Sequence, residues 1–243
     1  MLVLDVSDGD EVVEIARAKG VQCVRGKSSG LIADWRACFH AARAAHPAAR
    51  YFAWGSDHDR WDALWLDGMR GALDRDPRAV AAYPFGEHVD SRGNIVRGAR
   101  SFAATERFRA IRFVRTLRRM VAGDMVYGLF RVDALERCGV FRDVLLPDRL
   151  LLAELSLEGT LVQVPRVLWR RQVTVSSEPT LARQRRTLFP RPVTRSLVPW
   201  WFTHAVALAR ARRPIAAYGY SLPVPMLGLA RAAVGLSRAA RER

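Results

Sequence analysis

The stretch YFAWGSDHDRW, residues 51–61, is an apolar run that ends in two aspartates with a histidine between them. The apolar run predicts a buried strand, and the aspartates fall at its carboxyl end. Two carboxylates this close repel each other, so Asp57 and Asp59 cost stability unless a cation neutralises them. Carboxylate oxygens are ligands for hard divalent cations, which makes a Mg²⁺ or Mn²⁺ site one interpretation. A solvated turn whose aspartate caps the next helix is the other.

Strand and helix patterns alternate on both sides of this stretch. LVLDVS, residues 2–7, and AVAAYPF, residues 79–85, are typical of buried strands, and amphipathic helical patterns lie between the strands. This alternation predicts an α/β fold with a mostly parallel sheet flanked by helices. Ligands bind such sheets beyond the carboxyl ends of the strands. We therefore expect Asp5, Asp57 and Asp59 to lie on one rim of the sheet.

The middle of the chain contains further helical patterns. GEHVDSRGNIVRG, residues 86–98, predicts a turn-rich excursion. The arginine-rich residues 105–121 predict a helix whose apolar face carries Phe108, Ile111, Leu117 and Val121. PDRLLLAELSLEG, residues 147–159, predicts another helix, and residues 160–172 predict a strand pair or one extended segment.

The positive charge is concentrated in the last third of the chain. The 243 residues carry a formal net charge of +15. Residues 1–164 contain 24 basic and 22 acidic side chains, whereas residues 165–243 contain 15 arginines and two glutamates. Such asymmetry indicates an anionic partner for the tail. The composition changes near residue 175, so we predict a domain over 1–175 and a basic helical extension over 176–243.

The extension contains the aromatic segment VPWWFTHAVALARARRP, residues 198–214. Tryptophans beside arginines suit the interface of an anionic membrane. A helical appendage that packs its tryptophans on the domain over 1–175 is the alternative. The extension has no helix-turn-helix, zinc or RNP pattern, so we expect no specific nucleic-acid partner.

The rest of the composition indicates a cytoplasmic protein, with peripheral contact on the inner face of the membrane if the tail binds lipid. Three cysteines at unrelated spacings form neither a disulfide framework nor a metal-ligand set. The N-terminal MLVLDVSDGDEV lacks the pattern of a secretory signal. No apolar run reaches the roughly 18 residues that a spanning helix needs.

The serial order of the motifs, from residue 2 to about residue 172, resembles that of the family 2 glycosyltransferases. The motifs are LVLDVSDGDEVVEIA, VRGKSSGLIADWRACFHAA, YFAWGSDHDRWDALWLDGMRGALDRDP, AVAAYPFGEHVDSRGNIV, VYGLFRVDALERCGVF and PDRLLLAELSLEGTLVQVP. The resemblance implies the GT-A fold, which binds nucleotide sugars. It begins at the family's second strand, so the domain is N-terminally shortened relative to the family. We expect that the natural start lies upstream; a shortened form with impaired donor binding is the alternative.

The resemblance also implies roles for single residues on the donor side. Asp5 matches the acidic residue that contacts the nucleotide base or ribose, and Gly30 matches the glycine before the helix that flanks the nucleotide pocket. Asp57 and Asp59 match the aspartates that hold the metal and the diphosphate. Mg²⁺ or Mn²⁺ is the implied cofactor.

Three further positions follow from the resemblance. Asp148 matches the general base of inverting members, which takes the proton of the acceptor hydroxyl; a helix cap is the competing role for this residue. Arg170 and Arg171 stand where the family often has basic residues near the diphosphate, and guanidinium groups suit phosphate. Arginine is so abundant in this chain that an ordinary surface role for both is the alternative.

The implied activity is transfer of a sugar from a nucleotide-diphosphate sugar to a hydroxyl of a glycan or lipid-linked acceptor, with inversion and metal assistance. A different class of function is also compatible with the residues. A degenerate transferase domain without catalysis would act as a membrane- or partner-binding module.

Overall fold

The computed structural model describes residues 1–56, 58–173, 203, 204, 206 and 207 of the chain. The strands are β1 (Leu2–Asp5), β2 (Gln22–Arg25), β3 (Tyr51–Phe52), β4 (Arg60–Trp61), β5 (Ala79–Val89), β6 (Ile95–Arg97), β7 (Leu129–Arg131) and β8 (Thr160–Gln172). The helices are α1 (Glu11–Ala18), α2 (Leu31–Ala45), α3 (Trp65–Arg75), α4 (Arg109–Arg119), α5 (Ala122–Met125), α6 (Val132–Cys138) and α7 (Pro147–Glu158). The predicted α/β class is confirmed.

The strands form two sheets. β1 and β2 pair in parallel as a sheet of their own. The main sheet has the order β3-β7-β5-β8-β4, with β6 paired to β5. Within the described residues β5 and β8 are parallel, whereas the other pairings of this sheet are antiparallel. The main sheet is therefore mixed, and the predicted mostly parallel sheet is not confirmed.

The structure does not place Asp5 and Asp59 on one rim of a common sheet, contrary to what the sequence had predicted. Asp5 ends a strand of the small sheet, whereas Asp59 precedes β4 of the main sheet. β3 and β4 are only two residues long, so the sequence around Asp59 carries no pattern from which strand direction can be read. The two aspartates therefore do not end neighbouring strands of one sheet.

Two segments of the main sheet differ from the prediction in extent. β5 runs on to Val89 through residues predicted as a turn-rich excursion. The hairpin closes only after Asp90, whose Oδ1 accepts hydrogen bonds from the backbone N–H groups of Arg92 and Asn94, both at 2.9 Å. β8 is one strand rather than a pair, and its register with β5 shifts near Pro84 and Gly86.

The core lies between the main sheet and helices α3, α4 and α7. From Leu150 to Leu157, every residue of α7 is buried. Full burial of one leucine side chain contributes roughly 1.5–3 kcal/mol. This helix and the β5–β8 pair therefore hold the centre of the domain.

The face that helix α4 turns to the core matches the predicted apolar face at Leu117 but not at Phe108 or Ile111. Its buried residues are Arg112, Phe113, Thr116 and Leu117, whereas Phe108 and Ile111 are 67% and 55% exposed. The guanidinium of Arg112 donates to the backbone oxygens of Ser156 and Glu106. These carbonyls satisfy the buried charge, so an arginine takes an inward position that an apolar residue was expected to fill.

A short piece of the C-terminal extension contacts the domain. Thr203 Oγ1 accepts a hydrogen bond from the Leu145 N–H at 3.2 Å, and Ala207 packs against the core. Most of 176–243, including Trp200, Trp201 and Phe202, lies outside the described residues. Of the described helices, none combines the length and the apolar character that crossing a membrane requires.

Candidate functional site

A cavity of about 290 Å³ lies between the start of α2, helix α5, the loop before α7 and the end of β8. Its wall is largely apolar and aromatic, with Trp35, Tyr127 and Phe141 among its members. The charged residues of its lining are Asp148 and Arg171. An apolar pocket with a few convergent polar groups is the usual form of a small-molecule site.

Asp148 reaches the cavity from the first turn of α7. Pro147 occupies the first helical position, and Leu146 before it adopts a left-handed conformation with φ 52° and ψ 58°. The residue at the N-cap position of α7 is thus Leu146, and no side chain of the described residues makes the capping hydrogen bond there. Asp148 is not the N-cap residue, but its Oδ1 accepts a hydrogen bond from the Arg149 N–H at 2.9 Å, so it also supports the first turn of the helix. Burial raises the pKa of Asp148, and the positive charges of Arg149 and Arg171 act in the opposite direction.

Arg171 is held in place by the opposite wall. Its Nη1 donates to the Gly123 carbonyl at 3.2 Å, and its guanidinium carbon lies 5.6 Å from the centre of the Tyr127 ring. Its charge acts on the pKa of both Asp148 and Asp59. A guanidinium oriented by an aromatic face and a carbonyl still has N–H groups to offer an anion.

Asp59 lies next to β8, with a fully buried side chain. Its Oδ2 accepts a hydrogen bond from the Trp169 indole N–H at 3.1 Å. Among the residues that the structure describes, its Oδ1 has no hydrogen-bond partner, and it lies 3.7 Å from Nε2 of His58. Burial is the largest influence on the pKa of Asp59, which is raised.

An unpartnered buried carboxylate oxygen is an exception that calls for a ligand, and a divalent cation fits its chemistry. Asp59 can supply one oxygen to such a cation. Asp57, the other predicted ligand, lies outside the described residues. In the part of the chain that the structure describes, no group of three or more histidine, cysteine, aspartate or glutamate side chains is placed to hold a metal.

Arg170 is separated from Arg171 by the alternation of the strand. Its Nε donates to the Glu87 carboxylate at 2.9 Å, and half of its side chain is exposed. It does not line the cavity. Successive side chains of a strand point to opposite faces, so the structure brings one of the two predicted arginines to the site and excludes the other.

Asp5 is engaged in local structure. Its Oδ1 accepts hydrogen bonds from the N–H and the hydroxyl of Ser7, at 3.0 and 2.7 Å, and Arg25 Nε lies 3.6 Å from Oδ2. The Ser7 hydroxyl and backbone lower the pKa of Asp5. Asp5 does not line the cavity, so its predicted contact with the nucleotide stays a prediction.

Gly30 stands directly before α2 and next to the cavity. Its φ of 99° lies in the range that favours glycine, and the following residues, Leu31 and Ile32, line the cavity. Asp34 supports this turn, because its carboxylate accepts from the Ser28 hydroxyl at 2.7 Å and the Ser29 N–H at 2.9 Å. The start of α2 is therefore fixed at the edge of the cavity.

The aromatic wall was not predicted as part of the site. Trp35 stacks on Trp54 with ring centres 5.7 Å apart, and it meets Tyr127 and Phe141 edge to face. Arg36 ties the same helix to the opposite loop through the Phe141 carbonyl at 3.2 Å. An aromatic residue at helical spacing is more often core than site, so the sequence carries no signal that separates the two roles.

Comparison with known proteins adds no family to this description. Neither a scan against protein-family models nor a search of curated proteins found a match to the chain. Function is therefore inferred from the chemistry of the cavity and from the order of the motifs.

Proposed function

We propose that the chain is a glycosyltransferase that moves a sugar from a nucleotide-diphosphate sugar to an acceptor hydroxyl with inversion. The observation that carries this proposal is the shared cavity of Asp148 and Arg171, two residues that the motif order assigns to acceptor activation and to diphosphate binding. The acceptor is a glycan or a lipid-linked molecule on the cytoplasmic side.

Asp148 is the proposed general base. Its raised pKa makes the carboxylate a stronger proton acceptor than an ordinary aspartate. In the proposed reaction the acceptor oxygen forms a bond to the anomeric carbon, and the bond from that carbon to the diphosphate oxygen breaks. The acceptor proton passes to Asp148, and the diphosphate leaves on the opposite side of the sugar.

Arg171 is the proposed diphosphate ligand. Its contacts with Gly123 and Tyr127 fix the guanidinium before the ligand arrives, which lowers the entropy lost on binding. Its positive charge would stabilise the negative charge that grows on the leaving group. Arg170, which pairs with Glu87, has no such role in this proposal.

Asp59 would hold the divalent cation together with Asp57. The unpartnered Oδ1 of Asp59 is the oxygen available for it, and the Trp169 indole fixes the carboxylate through Oδ2. Mg²⁺ or Mn²⁺ would neutralise charge on the departing diphosphate. Trp169 thus orients the Asp59 carboxylate, and the Trp169 side chain is itself buried in the core.

The proposal is tested by calorimetric titration of UDP and GDP into the chain, with Mn²⁺ and with EDTA. We expect metal-dependent binding of one nucleotide. Asp59→Ala should abolish the metal dependence, and Arg171→Gln should weaken binding at least tenfold through loss of a charge-assisted contact. Arg170→Gln is the matched control, since its side chain lies on the other face, and it should bind as the parent does. Equal affinity in all four proteins would contradict the proposal.

One observation favours a second candidate, a non-catalytic binding module. The carboxylate of Asp5, the predicted contact of the nucleotide base, already binds the Ser7 hydroxyl and lies beside the Arg25 guanidinium. Its strand belongs to the small sheet and not to the main sheet. A degenerate transferase domain would keep the fold and lose the donor. A folded chain that binds neither nucleotide, with or without Mn²⁺, would support this candidate.

A further inference from the structure

The segment that contains α4 has an unusual composition. From Arg107 to Arg119 it holds six arginines and no acidic residue. Phe113 and Leu117 anchor it in the core, and the buried Arg112 fastens it through the Ser156 carbonyl. The helix is thus a fixed platform whose opposite side faces outward.

That outward side is both apolar and basic. We define the α4 outer face as Phe108, Ile111, Val114, Arg115, Arg118 and Arg119. Phe108 and Ile111 are 67% and 55% exposed, and Val114 is half-buried. The three arginines are exposed, and Arg115 also pairs with Glu106. Two large exposed apolar side chains within one turn of a helix and flanked by arginines indicate a contact surface.

We propose that the α4 outer face binds the interface of a bilayer that contains anionic phospholipids. Phe108 and Ile111 would enter the boundary between headgroups and acyl chains, as the apolar side of an interfacial helix does. The arginine side chains are long enough to keep their charges at the level of the lipid phosphates while their carbon stems cover apolar surface. The apolar and the charged halves of the face are both satisfied by this one environment.

Two other occupants fit the face less well. The C-terminal extension of the same chain, residues 176–243, is itself strongly basic, with 12 arginines and two glutamates, so it would be repelled by the arginines of α4. A nucleic acid would satisfy the arginines but would leave the exposed Ile111 without an apolar partner. Only a surface that is anionic and apolar at once matches both halves of the face.

This binding surface is separate from the cavity. None of its six residues lines the cavity that holds Asp148 and Arg171. The inference therefore stands on exposure and charge alone and does not depend on the proposed transfer of sugar. Loss of nucleotide binding and loss of membrane binding are separable outcomes.

The first test measures co-sedimentation of the full chain with vesicles of phosphatidylcholine, with and without phosphatidylglycerol. We expect binding that requires the anionic lipid and that falls as salt is raised. The double variant Phe108→Glu, Ile111→Glu should lose at least about tenfold in vesicle affinity, because two apolar contacts are lost. The matched control is Leu64→Glu, Leu66→Glu, two leucines 50% and 56% exposed at the start of α3, which should bind as the parent does.

A second set of variants tests the charges. Changing Arg115, Arg118 and Arg119 to glutamine should weaken binding by about fivefold per arginine and flatten the salt dependence. Changing Arg60, Arg70 and Arg75, which lie on β4 and α3, to glutamine is the matched control and should have no such effect beyond the general loss of charge. Thermal melts check that each variant folds as the parent does, since Arg115→Gln also removes the ion pair with Glu106. Phe108→Ala, Ile111→Ala replaces the glutamate pair if its melt is lowered, and Arg118→Gln, Arg119→Gln replaces the arginine set if its melt is lowered.

Three results would overturn the inference. The first is absence of binding to anionic vesicles by the parent chain. The second is equal binding by the α4 variants and their controls, which would assign membrane contact to the C-terminal extension instead. The third is binding to single-stranded DNA that depends on the α4 outer face and that anionic vesicles fail to compete away.

Discussion

The β1–α1–β2 unit at the N-terminus and the β5–α7–β8 centre share a pattern of strands and helices but differ in burial. Between residues 1 and 29, only Asp5 and Ala16 are buried, whereas β5 and α7 are buried almost throughout. Two strands and one helix cover few apolar side chains, while the central pair is covered by helices. The same local pattern therefore has different stability depending on how many layers enclose it.

The largest contrast is expected from a leucine in each region. Leu152→Ala, at a fully buried position of α7, should lower the free energy of unfolding by about 2–5 kcal/mol, since it leaves a cavity. Leu4→Ala, at a half-buried position of β1, should cost about 1 kcal/mol. Urea unfolding followed by circular dichroism measures both. Equal losses would mean that the N-terminal unit is as tightly enclosed as the centre.

A glycine packed against β5 and a glycine at the end of β2 give the next contrast. A Cβ at Gly128 would lie 2.5 Å from the Ala82 carbonyl oxygen, so backbone has to move. Gly128→Ala should therefore cost about 3 kcal/mol. A Cβ at Gly26 would lie 3.4 Å from Leu4 Cδ1, a distance of ordinary contact, and Gly26→Ala should change stability by less than about 0.5 kcal/mol. Thermal melts of the two variants rank them, and the reverse order would contradict the described packing.

His204 sharpens the comparison, because it joins a third region to the loop before α7. Its Nε2 lies 2.7 Å from the Leu145 carbonyl oxygen. His204→Leu leaves that buried carbonyl without a donor and should cost about 1–3 kcal/mol, whereas His204→Gln can still donate from a similar position. Melts of the two variants at pH 7 test this, and an equal loss in both would show that packing rather than the hydrogen bond matters.

The same residue sets a pH dependence. Burial lowers the pKa of His204 to about 4, from an ordinary 6.5. The unfolded chain takes up this proton before the folded chain does, so stability should fall as the pH drops from about 6.5 to about 4. His204→Gln should remove that part of the fall, as urea titrations at several pH values would reveal. An unchanged profile would assign the acid sensitivity to other groups.

The smallest expected effect on stability is at the cavity. Because the pKa of Asp148 is raised, the folded chain holds this proton more tightly than the unfolded chain, and ionisation at higher pH destabilises the fold. Asp148→Asn should therefore raise the melting temperature at pH 7 and lose this advantage below about pH 4, where the aspartate is protonated in both states. A lower melting temperature at pH 7 would instead indicate that the ionised carboxylate stabilises the loop.

Elements with long periodic patterns could be predicted from the sequence. Whether neighbouring strands run parallel or antiparallel could not, and the main sheet is mixed where a mostly parallel one was predicted. α7 matches the helix predicted over 147–159, and β8 covers the predicted extended segment. The end of β5 was missed because Glu87 and His88 are polar; they are tolerated in the strand since each finds a partner, Arg170 for one and Asp124 for the other. Propensity is computed residue by residue, whereas such partners come from distant parts of the chain.

The site was predicted in the same uneven way. Asp148 and Arg171 were named from the motif order and share a cavity, but Arg170 was named with equal weight and faces away. A list of neighbouring arginines cannot say which one faces inward until the strand's register is known. Trp35 and Tyr127 were missed because their role depends on a cavity that only the packed chain forms.

The register shifts of β8 have a consequence for how this chain tolerates changes in length. Between Val164 and Trp169 the strand holds extra residues relative to its partner β5, and their number decides that Arg171 rather than Arg170 faces the cavity. Deletion of one residue there would exchange the two arginines between the faces of the sheet. A substitution in this part of β8 changes a single side chain, whereas one lost codon would reverse every later position of the strand.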